Sequence, residues 1–225
     1  MTVRVLIVDD AEFVRDGLHM ALDAAPGVEV VGEAADGAAG VAEATRLRPD
    51  VVLMDVRMPV LDGIEATRRI VALDGPPVRV LMLTTFDLDD YLVEALHAGV
   101  SGFTLKDTPP DDLLAGIAAV ARDDALVEPE TTVRLIERTA RNQPPVPLDG
   151  VTEPERALLE LVGAGHSNAD IAGRLGVPEA QVARDVVRLR ETLGARDRIH
   201  AVLAAHRARS RSSTDTAATP PPGGC

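Results

Sequence analysis

VRVLIVDD, residues 3–10, opens the chain with a short run of aliphatic residues that ends in two adjacent aspartates. A second run of this kind, VVLMD at 51–55, also ends in an aspartate. Apolar runs of this length, without polar alternation, are typical of strands buried on both faces of a sheet. We therefore predict a parallel sheet in which carboxylates lie at the ends of two strands.

The pattern of strand and helix continues through about the first 120 residues. Further strands are predicted at 28–31, 78–83 and 102–105. Helices are predicted at about 12–24, 37–47, 63–72, 88–97 and 110–122. Five such βα units predict a doubly wound, five-stranded α/β domain with its site at the carboxyl ends of the strands.

After this domain the strand patterns stop and only helices are predicted. One lies at 129–139, and four more lie at 153–163, 168–175, 179–193 and 197–209, after a proline-rich linker. The tail, rich in Ser, Thr, Pro and Gly, has nothing to bury and is predicted to be disordered. The predicted organisation is an α/β domain at 1–123, a linker helix and linker at 124–147, a four-helix domain at 148–209 and a disordered tail at 210–225.

Composition and charge narrow the class of protein. No apolar run approaches the ~18 residues of a membrane span, and the start of the chain does not have the pattern of a signal peptide. The single cysteine is the last residue, so no internal disulfide is possible. We therefore expect a cytoplasmic protein without a membrane partner. The net charge is −13. Residues 148–209 contain nine Arg and nine Asp or Glu, and the tail is also neutral, so the whole deficit lies in residues 1–147. This asymmetry suggests two functions.

An acidic cluster with one lysine is the main candidate site. Asp9 and Asp10 follow the first strand and Asp55 ends the third, and these strands are near neighbours in a doubly wound sheet. Carboxylates so close together repel unless a cation neutralises them, and an all-oxygen ligand set suits Mg²⁺. The fourth strand ends at Thr84 and the fifth is followed by Lys106, the only lysine in the chain. A compact ammonium at this position is suited to pairing with a phosphoryl oxygen.

Residues 1–122 resemble the receiver domain of bacterial two-component response regulators. The resemblance is carried by LIVDD at 6–10, DVVLMDVRMPVLDG at 50–63, VLMLTTF at 80–86 and SGFTLKD at 101–107. It implies that a sensor histidine kinase phosphorylates Asp55, and that Asp9, Asp10, Asp55 and the backbone carbonyl of Arg57 hold Mg²⁺. Thr84 and Lys106 would contact the phosphoryl group, and Phe103 would be the aromatic switch residue.

Two enzymatic alternatives fit the residues less well. A haloacid-dehalogenase-type phosphatase also uses a strand-end aspartate and a lysine, but it needs Asp-x-Asp, and here the second position is Arg57. A nucleotide-binding Rossmann domain would have G-x-G-x-x-G after the first strand, which is missing. We therefore expect a phosphorylated switch and not an enzyme, with no catalytic residue for a further substrate.

The four C-terminal helices resemble the LuxR-type helix-turn-helix of the NarL/FixJ class of regulators, especially over SNADIAGRL at 167–175 and LGARDR at 193–198. Such a domain places its second helix in the major groove of DNA. The recognition helix departs from the family: Ala183 replaces the usual lysine, and Asp185 replaces the usual histidine. The candidate DNA-contacting residues are Gln181, Arg184, Asp185, Arg188, Arg190 and Arg198.

The departures leave two interpretations of the output domain open. In the first, the arginines compensate for the lost lysine, and a phosphorylation-promoted homodimer binds two half-sites in double-stranded DNA. In the second, the domain has lost DNA binding and signals through a protein partner.

Overall fold

Five strands form one parallel sheet in the order β2-β1-β3-β4-β5. The computed structural model describes residues 2–84, 91–124, 126–127, 129–140, 143–148 and 150–215. The strands are β1 Val3–Val8, β2 Val28–Ala34, β3 Val51–Asp55, β4 Arg79–Thr84 and β5 Gly102–Leu105. The helices beside them are α1 Glu12–Asp23, α2 Gly37–Leu47, α3 Gly63–Val71, α4 Leu92–Ala98 and α5 Pro110–Arg122. The predicted doubly wound α/β fold is confirmed.

Alternate strand residues pack on opposite faces of the sheet, as the two-residue period of a strand requires. Val5, Ile7 and Leu53 belong to the apolar cluster that Leu22 of α1 and Ile117 of α5 complete. Their sequence neighbours face the other side, where residues of α2, α3 and α4 cover them. All five residues of β3 are buried, so the strand that ends in Asp55 lies in the middle of the core.

The C-terminal region is entirely helical where the structure describes it. After α6 Pro129–Ala140 come α7 Glu153–Gly163, α8 Asn168–Leu175, α9 Glu179–Leu193 and α10 Arg198–Asp215. Capping boxes begin α7 and α8: Thr152 pairs with Glu155, and Ser167 pairs with Asp170. The turn between α8 and α9 places Gly176 at a φ of +67°, a conformation that glycine adopts without strain. The predicted helix-turn-helix is therefore α8–α9.

α10 is longer than the predicted helix at 197–209. It continues to Asp215, which lies within the segment predicted to be a disordered tail. Residues 216–225, the rest of that tail, lie outside the described residues. The boundaries between the four predicted segments stay predictions. None of the helices that the structure describes is both long and apolar enough to cross a membrane.

The two folded parts share one apolar cluster. The α2–α4 side of the sheet, with Leu96 and Phe103, is continuous with Ile136 of α6, Val162 of α7 and Val202 of α10. α10 packs on α7 and α6, and α6 also contacts α4. The C-terminal helices are thus docked on the α/β domain in this structure.

The turn after β3 holds Asp55 in place by a close backbone approach. Gly63 begins α3, and its N–H donates to the carbonyl of Val56 at 2.9 Å. A Cβ on Gly63 would lie 1.8 Å from the Asp55 carbonyl oxygen, far inside van der Waals contact. Val60, in the same turn, has a φ of +68°, which is strained for a β-branched residue. The chain accepts this strain next to Asp55, as functional sites often do.

Gly63→Ala is therefore expected to lower the free energy of unfolding by about 1–3 kcal/mol or more, the range for overpacked sites. The matched control is Gly17→Ala on α1, where an added Cβ meets nothing within 4 Å. That change is expected to be neutral or to stabilise by up to ~1 kcal/mol, because alanine is the better helix former. Urea denaturation measures both. Equal effects of the two substitutions would contradict the close approach at Gly63.

Candidate functional site

The predicted site residues converge at the carboxyl edge of the sheet. Asp9 and Asp10 follow β1, Asp55 ends β3, Thr84 ends β4 and Lys106 follows β5. The register of the parallel strands places these residues at the same level along the sheet. Asp55 pairs with Leu83, and the Lys106 N–H donates to the Thr84 carbonyl at 2.9 Å. Residues from the ends of four strands therefore lie at one edge of the sheet.

The three aspartates form a compact oxygen cluster. One carboxylate oxygen from each of Asp9, Asp10 and Asp55 lies within 4.8 Å of the others. Asp9 is fully buried and Asp55 is 6% exposed, whereas Asp10 is exposed. The cluster is therefore anchored in the core and open to solvent on one side. Its donors are hard oxygens, the kind that Mg²⁺ and Ca²⁺ prefer.

Lys106 neutralises two of these carboxylates. Its Nζ lies 2.7 Å from Asp9 Oδ2 and 3.0 Å from Asp55 Oδ1. Burial lowers the pKa of Lys106, but the bonds to Asp9 and Asp55 outweigh burial and raise it above its ordinary value. The ammonium therefore remains charged at neutral pH.

Asp55 is in the opposite situation. Burial and the negative charge of Asp9 raise the pKa of Asp55, although Lys106 and the Val56 N–H act to lower it. The ionised form of Asp55 is thus less stable here than in water, because burial and the charge of Asp9 outweigh the positive charge that Lys106 supplies. A group that brings positive charge into the crevice would relieve this.

The other receiver residues occupy distinct surroundings. Thr84 is buried at the strand end, and Phe103 is only 3% exposed, within the apolar cluster that reaches the C-terminal helices. Arg57 is exposed, and its guanidinium lies over the ring of Tyr91, 5.0 Å from the centroid. The Tyr91 contact was not predicted, because ring stacking between residues so far apart in sequence leaves no local pattern.

The candidate DNA-contacting residues divide into two groups. Gln181, Arg184 and Arg188 are exposed on α9, while Asp185 is half-buried and pairs with Arg188. This pair partly cancels the charge of Arg188. An exposed arginine at Arg184 and a compensated one at Arg188 therefore lie one turn apart on the same helix.

Arg190 and Arg198 point instead into the folded protein. Arg190 pairs with Asp123 at the end of α5. Arg198 is 1% exposed, and its guanidinium donates to Asn168 Oδ1 at 2.9 Å and to the His166 carbonyl. Burial lowers the pKa of Arg198 to about 10, so it stays charged at neutral pH. In this arrangement neither side chain is available to a phosphate.

A polar junction joins the C-terminal helices to the α/β domain. The Arg198 N–H donates to Asp123 Oδ1 at 2.9 Å, and the Asn168 N–H donates to the Asp124 carbonyl at 3.0 Å. Ser101 Oγ donates to Asp197 Oδ2 at 3.1 Å. The junction lies at the start of β4 and the ends of α4 and α5, opposite the acidic cluster. It was not predicted, although the Asp197-x-x-His200 spacing, one helical turn, was visible in the sequence.

Comparison with known proteins identifies the α/β domain. The profile described as the response regulator receiver domain matches residues 5–118. The chain belongs to the response regulator family.

Relatives of this response regulator match both of its parts. An uncharacterised transcriptional regulatory protein, YxjL of Bacillus subtilis, is 37% identical and covers 91% of this chain and 95% of its own length. The response regulator protein VraR of Staphylococcus aureus is also 37% identical, over 90% of this chain and 96% of its own. The predicted resemblance to two-domain regulators is therefore confirmed.

Solved structures agree with this assignment. The response regulator ChrA of a heme-sensing two-component system is 32% identical, with a TM-score of 0.51 over 93% of this chain and 98% of that one. The RcsB response regulator of Salmonella typhimurium, whose structure concerns conformational dynamism for DNA interaction, is 25% identical. Its TM-score is 0.52, over 89% of this chain and 96% of that one.

The electrostatics of the crevice predict opposite effects for two substitutions at neutral pH. Lys106→Met leaves Asp9 and Asp55 without their cation and is expected to lower the free energy of unfolding by about 2 kcal/mol. Asp55→Asn removes a carboxylate whose pKa is raised, so it is expected to leave the free energy of unfolding unchanged or to increase it by up to ~1 kcal/mol. Denaturant unfolding in the presence of a chelator measures both.

The pH dependence gives the control. Because the pKa of Asp55 is raised from 3.8, the folded state takes up its proton first as pH falls. The loss of unfolding free energy caused by Lys106→Met should therefore become smaller as Asp55 becomes protonated. A penalty that stays constant down to ~pH 4 would contradict repulsion between the aspartates as its cause.

Proposed function

We propose that a sensor histidine kinase phosphorylates this response regulator on Asp55, and that the phosphorylated protein regulates transcription by binding DNA. The observation that carries this proposal is the placement of Asp55, ionisable and 6% exposed, between a second buried aspartate and the only lysine. Family membership and the transcriptional regulatory relative support it.

The chemistry at Asp55 is transfer of a phosphoryl group from a phosphohistidine. A carboxylate oxygen of Asp55 attacks phosphorus, the phosphorus–nitrogen bond breaks, and the histidine nitrogen keeps the electron pair. Lys106, already 3.0 Å from Asp55, can pair with a phosphoryl oxygen without a large movement. Thr84, at the end of the neighbouring strand, would donate its hydroxyl to another. Catalysis in such a site is positioning and electrostatics.

Mg²⁺ fits the donor set. Asp9, Asp10 and Asp55, with the backbone carbonyl of Arg57, would hold it. When bound, the ion offsets the negative charge that the phosphoryl group brings. The raised pKa of Asp55 supports the need for such a cation, because Lys106 alone does not bring that carboxyl to its ordinary value.

The docked arrangement is proposed to be the inactive form. Arg190 and Arg198 are occupied in it, whereas the candidate residues on the outer face of α9 stay exposed. Phosphorylation adds about −1.5 to −2 charges beside Thr84 and Lys106. We propose that the resulting movement of Thr84 and Phe103 weakens the shared apolar cluster, so that the output domain separates and a homodimer forms on DNA half-sites.

The alternative output is a protein partner. The Asp185–Arg188 pair favours it, because an anion on the recognition helix opposes binding to a polyanion. Selection of genomic DNA decides between the two outputs.

Phosphorylation is tested with labelled acetyl phosphate or phosphoramidate. Asp55→Asn is expected to abolish incorporation of label. The matched control is Asp62→Asn, because asparagine also caps a helix and Asp62 caps α3 outside the crevice. It should be labelled like the natural sequence. Undiminished labelling of Asp55→Asn would overturn the assignment.

DNA binding is tested by selecting fragmented genomic DNA on the beryllofluoride-treated protein at ~150 mM salt, because affinity depends on salt. A repeated half-site motif should be enriched. Arg184→Ala should weaken binding and reduce the slope of log affinity against log salt by about 1, the value for one lost phosphate contact. Asp185→Ala should tighten binding.

The control for these variants is Arg46→Ala, which removes an exposed arginine of α2 far from α9. It should bind DNA like the natural sequence. If folded protein modified at Asp55 enriches no DNA, the output domain acts through a protein partner.

A further inference from the structure

His200, near the start of α10, connects the output domain to the receiver domain. Its Nε2 lies 3.1 Å from the carbonyl oxygen of Leu96 in α4. Its Nδ1 lies 2.6 Å from Asp197 Oδ1. Asp197 is fully buried, and its other oxygen accepts from Ser101 of the receiver at 3.1 Å. The ring and its carboxylate partner therefore both span the junction.

The number of protons on the ring decides whether both bonds form. A carbonyl oxygen and a carboxylate are acceptors only, so a ring nitrogen of His200 can bond to either of them only when it carries an N–H. A neutral imidazole has a single N–H and can satisfy one of them. The doubly protonated ring satisfies both, one through each nitrogen. The docked geometry is thus complementary to the imidazolium form.

We propose that His200 is a proton-operated latch, which holds the output domain on the receiver when protonated and loosens it when the proton is lost. This adds a response to pH that needs neither phosphorylation nor DNA.

The net effect of the groups around the His200 ring is to favour its protonated form. Burial lowers the pKa of His200, and the Arg196 charge also lowers it, but the hydrogen bond and charge of Asp197 and the bond to Leu96 raise it above 6.5. Other charged groups act on Asp197 from the elements packed against it. They are Arg79 at the start of β4 and Arg190 on α9. Asp123, at the end of α5, pairs with both of these arginines and accepts from the backbone N–H of Arg198 on α10.

The direction of the pH effect follows from the raised pKa. The docked state binds the proton more tightly than the undocked state, so the latch contributes fully below the ordinary pKa of 6.5. That contribution is lost as pH rises through the raised pKa. Opening is therefore expected on the alkaline side, as the pH rises through the raised pKa of His200.

The junction is sensitive to the loss of one bond because it also contains unpaired donors. Arg79 Nη1, Arg190 Nε and Arg198 Nε are buried and have no hydrogen-bond partner within the part of the chain that the structure describes. Water would satisfy these donors on opening. These three donors do not stabilise the docked state, which therefore depends on the other hydrogen bonds of the junction.

The test uses the full, unphosphorylated chain without DNA. NMR titration of the His200 ring gives its pKa, and small-angle X-ray scattering follows the radius of gyration between about pH 6 and pH 8.5, the range in which histidine titrates. We expect a ring pKa above 6.5 and a radius that rises with the same midpoint. Asp197→Asn should shift both midpoints to lower pH.

His200→Gln should abolish the pH-dependent change in radius. The matched control is His19→Gln on α1, which removes a histidine paired with Glu33 away from the junction and should leave the change intact. A ring pKa at or below 6.5 would overturn the proposal, as would a radius that does not follow the titration. If His200→Gln does not fold, the ring titration and the scattering curve of the natural sequence still decide. Neither readout involves Asp55 or DNA, so its failure leaves the proposed function untouched.

Discussion

The contact of one lysine with two buried carboxylates is the constraint on which the rest of the structure depends. Lys106 reaches Asp9 at 2.7 Å and Asp55 at 3.0 Å, and without it two buried negative charges would face each other at the end of the central strands. The sheet order brings β1, β3 and β5 close enough for this contact. The crevice is nevertheless short of positive charge, as the raised pKa of Asp55 shows. That shortage is what makes the site receptive to a cation and to a phosphoryl group held between cations.

A second charged assembly lies at the other end of the same sheet. There Asp123 binds Arg190 and the Arg198 N–H, while Asp197 binds Ser101 and His200. The two assemblies are connected by β4 and β5 and by the apolar cluster that contains Phe103. A packed cluster of this kind shifts between discrete arrangements and does not deform continuously, so a change beside Thr84 has a physical route to the docked helices.

Much of this could be predicted from the sequence, because the relevant signals are local or follow from topology. Apolar runs that end in Asp9, Asp55 and Thr84 indicate strand ends, and a parallel sheet gathers strand ends at one edge. The helix-turn-helix could be predicted from its caps and its turn at Gly176. The roles of Arg190 and Arg198 could not, since an arginine on a helix surface has the same local pattern whether it faces DNA or Asp123. Only the docking of two domains, which local periodicity does not encode, distinguishes them.

A change at Asp55 is proposed to release helices that are docked at the opposite end of the receiver. Two backbone amides report on this directly, because the Arg198 N–H donates to Asp123 and the Asn168 N–H donates to the Asp124 carbonyl. Residue-resolved hydrogen exchange of these amides, with and without beryllofluoride, is the most direct measurement. We expect faster exchange on addition of beryllofluoride in the natural sequence and no change in Asp55→Asn. Unchanged protection in protein fully modified at Asp55 would contradict it.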